Sequence, residues 1–271
     1  MPHRAPGPLR VERAWHTAAG LGIAEIVLLA LAMTLVAVLV HPLQLALVRL
    51  PEGSWPRPFG ALARWSRERQ VEARCELERH DRLIEDGAEP TEAQIQSAGQ
   101  AGAELRTRLP AEELCRPTAL GNVLAAMETR AGQAYGFDAV VAWPRLHPVL
   151  GERTRAVVDD RRNTLDMAAR LSVTMFVTGL AAVGLLAASG WWLLLALIPL
   201  TTSWIAYRGA VLAAIAYGES VDTAFDLHRF DLIVALHLPI PTDDTEKRAA
   251  NTVLCERWRQ GITTPTTYRH R

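Results

Sequence analysis

LSVTMFVTGLAAVGLLAASGWWLLLALIPLTTSWIAY, residues 171–207, carries no formal charge and is bracketed by Arg170 and Arg208. Gly190 divides it into two arms of about 18 residues, each close to the ~30 Å that a helix needs to cross hydrocarbon. A water-soluble core helix is rarely apolar all round, so the stretch reads as a transmembrane helical hairpin over 168–208. Trp191 and Trp192 at the turn suit the far headgroup level, where indoles prefer to sit. Pro199 is tolerated as a kink because neighbouring helices re-satisfy the freed carbonyl. Small residues at Thr178, Ala182 and 184–188 allow close helix approach.

Orientation follows from arginines. The turn has none, whereas the approach carries Arg153, Arg155, Arg161, Arg162 and Arg170 and the exit carries Arg208. The positive-inside rule puts both hairpin ends in the cytoplasm.

Working outward, LGIAEIVLLALAMTLVAVLV (residues 21–40) is a further helix of spanning length, with Glu25 one turn inside its start and within reach of the interface. With a cytoplasmic middle region this span places the amino terminus outside, against the pull of Arg4, Arg10 and Arg13. Two rivals are a re-entrant or interfacial segment and a signal peptide, the latter opposed by the length of the apolar run and the lack of a small-x-small cleavage site. The organisation expected is a tail (1–20), a first span (21–40), a mainly helical cytoplasmic domain (41–167), the hairpin (168–208), a cytoplasmic helical extension (209–260) and a disordered tail (261–271). The fold class is an all-α membrane protein.

Composition excludes several functions. Lys plus Arg number 29, as do Asp plus Glu, so no global field favours nucleic acid. The three cysteines, Cys75, Cys115 and Cys255, are odd in number and never form C-x-x-C, which speaks for free thiols and against disulfides or zinc. The heavy use of Arg over Lys, with Lys247 alone, points to a GC-rich bacterial genome and hence to a bacterial plasma membrane.

The middle region shows helical periodicity. Residues 62–85 are dense in charge and stop before Gly87 and Pro90. Residues 91–109 put Ile95, Ala98, Gly102, Leu105 and Leu109 on one face, which predicts an antiparallel partner for the first helix. Thr118 reads as the N-cap of a third helix carrying Leu120, Val123, Leu124 and Met127, ended by Gly132. Residues 137–141 have strand character, cut off by Pro144. Beyond Arg208, Tyr217, Val221, Phe225 and Leu232 fall on one stripe and Glu219, Asp222, Asp226 and Arg229 on another, with Pro239 and Pro241 ending the helix. If the chain turns at Gly190, basic region 153–162 meets acidic region 218–227.

Several stretches, GSWPRP (53–58), TALGN (118–122), YGFDAV (135–140) with WPRL (143–146), and AYGE (216–219) running on to FDL (225–227) and RFDL (229–232), resemble an uncharacterised family of bacterial multi-pass membrane proteins over residues 50–258. The resemblance implies the membrane architecture and brings no activity with it.

Chemistry is sparse. Glu72, Glu76 and His80 share a helical face, but a metal site needs ligands from a second element, and a solvated face of i,i+4 pairs is the simpler reading. His147, His228 and His237 lack a nucleophile partner, and no hydrolase, zincin, phosphate-loop or dinucleotide motif occurs. No cofactor or metal is expected. The candidate interaction site is Asp138, Trp143 and Arg145, with Asp222 and Asp226 as a further pair. Trp143-Pro144-Arg145 presents a guanidinium to phosphate or carboxylate, or else forms a corner in which Trp143 packs and Arg145 caps a helix or pairs with Asp138 or Glu128. Three functions are compatible: a membrane-anchored scaffold or sensor with a protein partner or a second copy of itself, an oligomeric channel or transporter component, and a lipid-interface enzyme. The bilayer is the expected partner, and nucleic acid is not.

Overall fold

The computed structural model describes residues 22, 31, 50–53, 55, 57–82, 91–187, 190–240 and 242–261. The first span and both tails, together with the 83–90 connection, thus lie almost wholly outside the described residues. Among the described residues from 57 onward seven α-helices follow in order: α1 (Gly60–Arg82), α2 (Glu92–Arg108), α3 (Ala119–Arg130), α4 (Ala139–Leu146), α5 (Glu152–Leu186), α6 (Leu197–Ala235) and α7 (Asp244–Gln260). Short 3-10 turns punctuate them, and no strand occurs among the described residues. The described residues from 51 onward fall into two compact units, 169–208 in one and 51–168 with 209–261 in the other.

In the first unit the ends of α5 and α6 are long and apolar enough to cross a membrane. The large side chains of this unit stay on the outside: Leu185 is 79% and Trp191, in the turn between the helices, 72% exposed, with Phe176, Leu180, Ile198 and Trp204 also exposed. The two helices approach closely where side chains are small. Ser203 Oγ donates to the Ser172 carbonyl at 2.8 Å, both residues buried. A Cβ at Gly179 would come within 2.5 Å of Leu200. Residues Gly190–Ala196 form a 3-10 turn, so the α-helix begins only at Leu197. Pro199 therefore stands in the first turn, where its missing N–H would have no intrahelical acceptor anyway. The expected mid-span kink is replaced by a helix start.

The second unit is a packed helical domain. α1 and α2 pack together, and the order of cross-links shows the antiparallel sense. Arg74 reaches the Leu109 and Pro110 carbonyls, Arg67 those of Glu112 and Cys115, and Ser66 that of Pro117, so α1 recedes as the chain beyond α2 advances. Of the apolar face expected on α2, Ala98, Gly102 and Leu109 are buried but Ile95 is 52% exposed. Thr118 caps α3 by accepting the Gly121 N–H at 3.1 Å, and Leu120 and Val123 beneath it are buried.

Residues 139–146, which include most of the stretch with strand character, are helical. The Asp138 carboxylate accepts the Val140 N–H at 2.9 Å and starts α4, with Pro144 inside it. A cap that satisfies an orphan donor outweighs the β-preference of Val140 and Val141. On α6 the stripe of Tyr217, Val221, Phe225 and Leu232 is buried, with Phe225 fully so. This helix ends at Ala235, before the prolines. His237 takes the left-handed conformation (φ +56°), and the Leu238 N–H closes onto the Ile233 carbonyl at 3.1 Å. The stretch beyond is a separate helix, α7, capped by Asp243 and ended at Gly261 (φ +67°).

Candidate functional site

Between α4 and α7 on one side and α6 on the other, aromatic residues make the centre of the second unit. The Phe137 and Phe225 rings lie 6.0 Å apart, Trp143 lies 6.2 Å from Phe225, and His147 lies 5.6 Å from Trp143. Two left-handed glycines build the turn that delivers Phe137. Gly132 (φ +73°) and Gly136 (φ +78°) flank residues 133–135, and the Phe137 N–H returns to the Gly132 carbonyl at 3.0 Å. At Gly136 a Cβ would run into the Arg248 carbonyl, so α7 lies directly on this turn.

All five singled-out side chains are engaged around this centre. Asp138 caps α4 and pairs with Arg259 of α7. Trp143 packs on Phe225 and His147. Arg145 donates to the Val141 carbonyl of its own helix at 2.7 Å and stacks over Trp258 at 4.5 Å. It reaches neither acid named as a possible partner, since Glu128 pairs with Arg116 at 2.9 Å. Asp222 receives two N–H groups of Arg130 at 2.9 and 2.7 Å, and Asp226 accepts the Tyr135 hydroxyl at 2.7 Å. The basic stretch of α5 meets α6 through the Arg162 guanidinium, 5.8 Å from the Tyr217 ring, and through Thr154, 3.1 Å from His228 Nε2. The acids Asp222 and Asp226 turn instead to α3 and the 133–135 turn. These residues tie helices together.

Electrostatics follow the packing. Burial pushes the Asp222 carboxyl above its ordinary value although Arg130 pulls it down. The hydrogen bond to Asp226 raises the Tyr135 hydroxyl, because it favours the phenol that donates it. Burial raises the Cys115 thiol and takes that of Cys255 to about 11. Neither is an activated nucleophile. No cluster of His, Cys, Asp and Glu suited to a metal ion occurs among the described residues.

Two features had escaped the sequence. Asn122 is fully buried: its Oδ1 accepts the Arg116 N–H at 2.5 Å and its Nδ2 donates to Gln70 Oε1 at 3.1 Å, locking α1 to α3. Its position on the inner face of α3, four residues after Thr118, was the available signal. The second is a groove of about 730 Å³ formed by the end of α6, the 238–240 loop, α7 and the 133–135 turn. Its walls include Phe137, Ile233, Leu238, Ile240 and Leu254, and Arg229, Lys247, Arg248 and Arg257 stand around them. The Arg229 guanidinium carbon lies 4.1 Å from the Tyr135 ring centre and 4.6 Å from that of Phe230, and Lys247 lies 5.7 Å from the Phe230 ring. No family model, curated protein or solved structure matches the chain.

Proposed function

We propose that the chain is a multi-pass protein of the bacterial plasma membrane that acts as an anchored scaffold or sensor, presenting its helical domain to the cytoplasm. One observation carries the reading: α5 and α6 are each unbroken helices that are apolar and exposed in one half and core-forming in the other. Val158 and Leu165 of α5 and Val221 and Phe225 of α6 are buried, whereas Leu185 and Ile198 on the same helices are not. Exposed surface of that extent is unfavourable in water by about 25 cal/mol per Å² and is relieved in hydrocarbon. In this reading 168–208 is a transmembrane hairpin, Arg170 and Arg208 sit at the cytoplasmic interface, and 21–40 is the first span. The resemblance to the bacterial multi-pass family fits the same architecture.

A channel is less well supported. Thr178, Thr201 and Thr202, among the few polar side chains of these arms, donate to carbonyls of their own helices (Thr174, Leu197 and Ile198) at 2.7–2.8 Å, which leaves their protons unavailable to a pathway. The test is topological. With Trp191→Cys, a membrane-impermeant maleimide should label position 191 on intact cells and reach Cys75 only after permeabilisation, and alkaline carbonate should not release the protein. Outside labelling of Cys75, or release by carbonate, would sink the reading.

A further inference from the structure

The groove beside α7 has the makings of a ligand site, and its chemistry narrows the ligand. Its walls supply apolar surface from α6 (Ile233), the loop (Leu238, Ile240) and α7 (Leu254). Its charged members are four cations, Arg229, Lys247, Arg248 and Arg257, against two carboxylates, Asp244 and Glu246. Lys247 is paired with Asp244 at 3.0 Å, so the excess charge is positive. The volume, about 730 Å³, lies within the range of small-molecule sites.

Other occupants fit less well. A nucleotide base needs an open aromatic face, but the Tyr135 and Phe230 rings are already covered by Arg229 and approached by Lys247. A peptide needs backbone partners, and the carboxamide nitrogen of Asn251 is spent on the Tyr135 carbonyl at 2.9 Å. The chain's own carboxyl-terminal residues 262–271 include Arg269, His270 and Arg271, which repeat the sign of the groove. We propose that the groove binds a single-chain anionic amphiphile, its acyl chain along Ile233, Leu238, Ile240 and Leu254 and its carboxylate or phosphate head between Arg229 and Arg248. This is argued from the second unit alone; the nanodisc experiment also needs the membrane reading, whose failure shows separately as a chain that does not co-purify with the discs.

The experiment uses the full chain in phosphatidylcholine nanodiscs with a diazirine-bearing dodecanoic acid as photoprobe, and adducts are mapped by peptide mass spectrometry. Adducts are expected within 229–257, competed by dodecanoate and dodecyl phosphate but not by inorganic phosphate or dodecyltrimethylammonium. Ile233→Trp should abolish them by filling the groove. The pair Lys247→Gln/Arg248→Gln, at one half-buried and one exposed position outside the buried core, should weaken apparent affinity roughly tenfold, the effect of losing about one charge-assisted contact. Adducts confined to 171–207 would overturn the proposal, as would equal labelling by a dodecylamine probe. Competition by inorganic phosphate would overturn it too, since the acyl chain would then contribute nothing. A rise in labelling on deletion of 262–271, or a fall as protein density in the disc increases, would assign the groove to the chain's own tail or to a second copy.

Discussion

Asp222 and Arg130 meet through a single oxygen: the guanidinium Nε and one Nη both donate to Asp222 Oδ2, at 2.9 and 2.7 Å, where α6 crosses the end of α3. The pair is part-buried, with the side chains 28% (Arg130) and 32% (Asp222) exposed. Because burial raises the Asp222 pKa, the folded state holds this proton more tightly than the unfolded one. Its titration thus lowers stability as pH rises through the carboxylate range, and neutralising it is cheap. Arg130→Met, which strands the carboxylate, should cost about 1–2 kcal/mol at pH 7, more than Asp222→Asn. Thermal melting of both variants checks this, and equal or reversed losses would refute it.

Phe225 is fully buried between Phe137 and Trp143. Phe225→Ala should destabilise the second unit by about 3–5 kcal/mol, through lost transfer energy and the cavity left behind. Denaturant melts followed by far-ultraviolet circular dichroism would show it. A loss under 1 kcal/mol would mean that the aromatic centre is not the core.

Cys255 is 4% exposed, accepts the Asp138 N–H at 3.3 Å, and titrates near 11. At pH 8 it should resist thiol reagents in the folded protein, while half-buried Cys75 reacts. Between about pH 9 and 11 the unfolded thiol ionises while the folded one stays protonated, so stability falls, by up to about 3 kcal/mol. Cys255→Ser should flatten that alkaline loss. An unchanged alkaline limb in the variant would contradict the assignment.

Gly136 serves two constraints at once, its left-handed φ and its contact with the Arg248 carbonyl. Gly136→Ala should lift α7 from the turn. The readout is local: Cys255 becomes reactive at pH 8 and amide protection falls across 244–260, while α1 and α2 keep theirs. Retained Cys255 protection would show that α7 is held elsewhere.

The helical character was legible because period and caps agreed. The Tyr217-Val221-Phe225-Leu232 stripe and the Thr118 cap stand where the pattern placed them. Ile95 was misplaced because an apolar residue one turn into a helix obeys the period without being covered. Residues 137–141 misled because β-branched Val140 and Val141 speak for a strand locally, whereas the Asp138 side chain acts on the backbone two residues on. The candidate site was legible in its residue types but not in its pairings. Asp222 and Arg130 are 92 positions apart, and Asp138 and Arg259 are farther apart still, with three helices between them. Symmetry about Gly190 accounts for Thr154 with His228, yet a helix has a second face, and the acids of α6 use it. The groove depends on a left-handed His237 that no composition rule singles out.

The second unit is discontinuous, its two stretches separated by residues 169–208. Phe137 therefore leaves the ribosome well before Phe225, whose ring packs on it, and at about 5–20 residues per second the wait lasts several seconds. During that interval α3 has α1 and α2 to pack on, but the Phe137 ring waits for Phe225. On the proposed topology, insertion of residues 171–207 thus becomes a checkpoint in synthesis: a chain stalled after residue 208 would leave Phe137 uncovered, and only a chain that has gone on to α6 could close its own core.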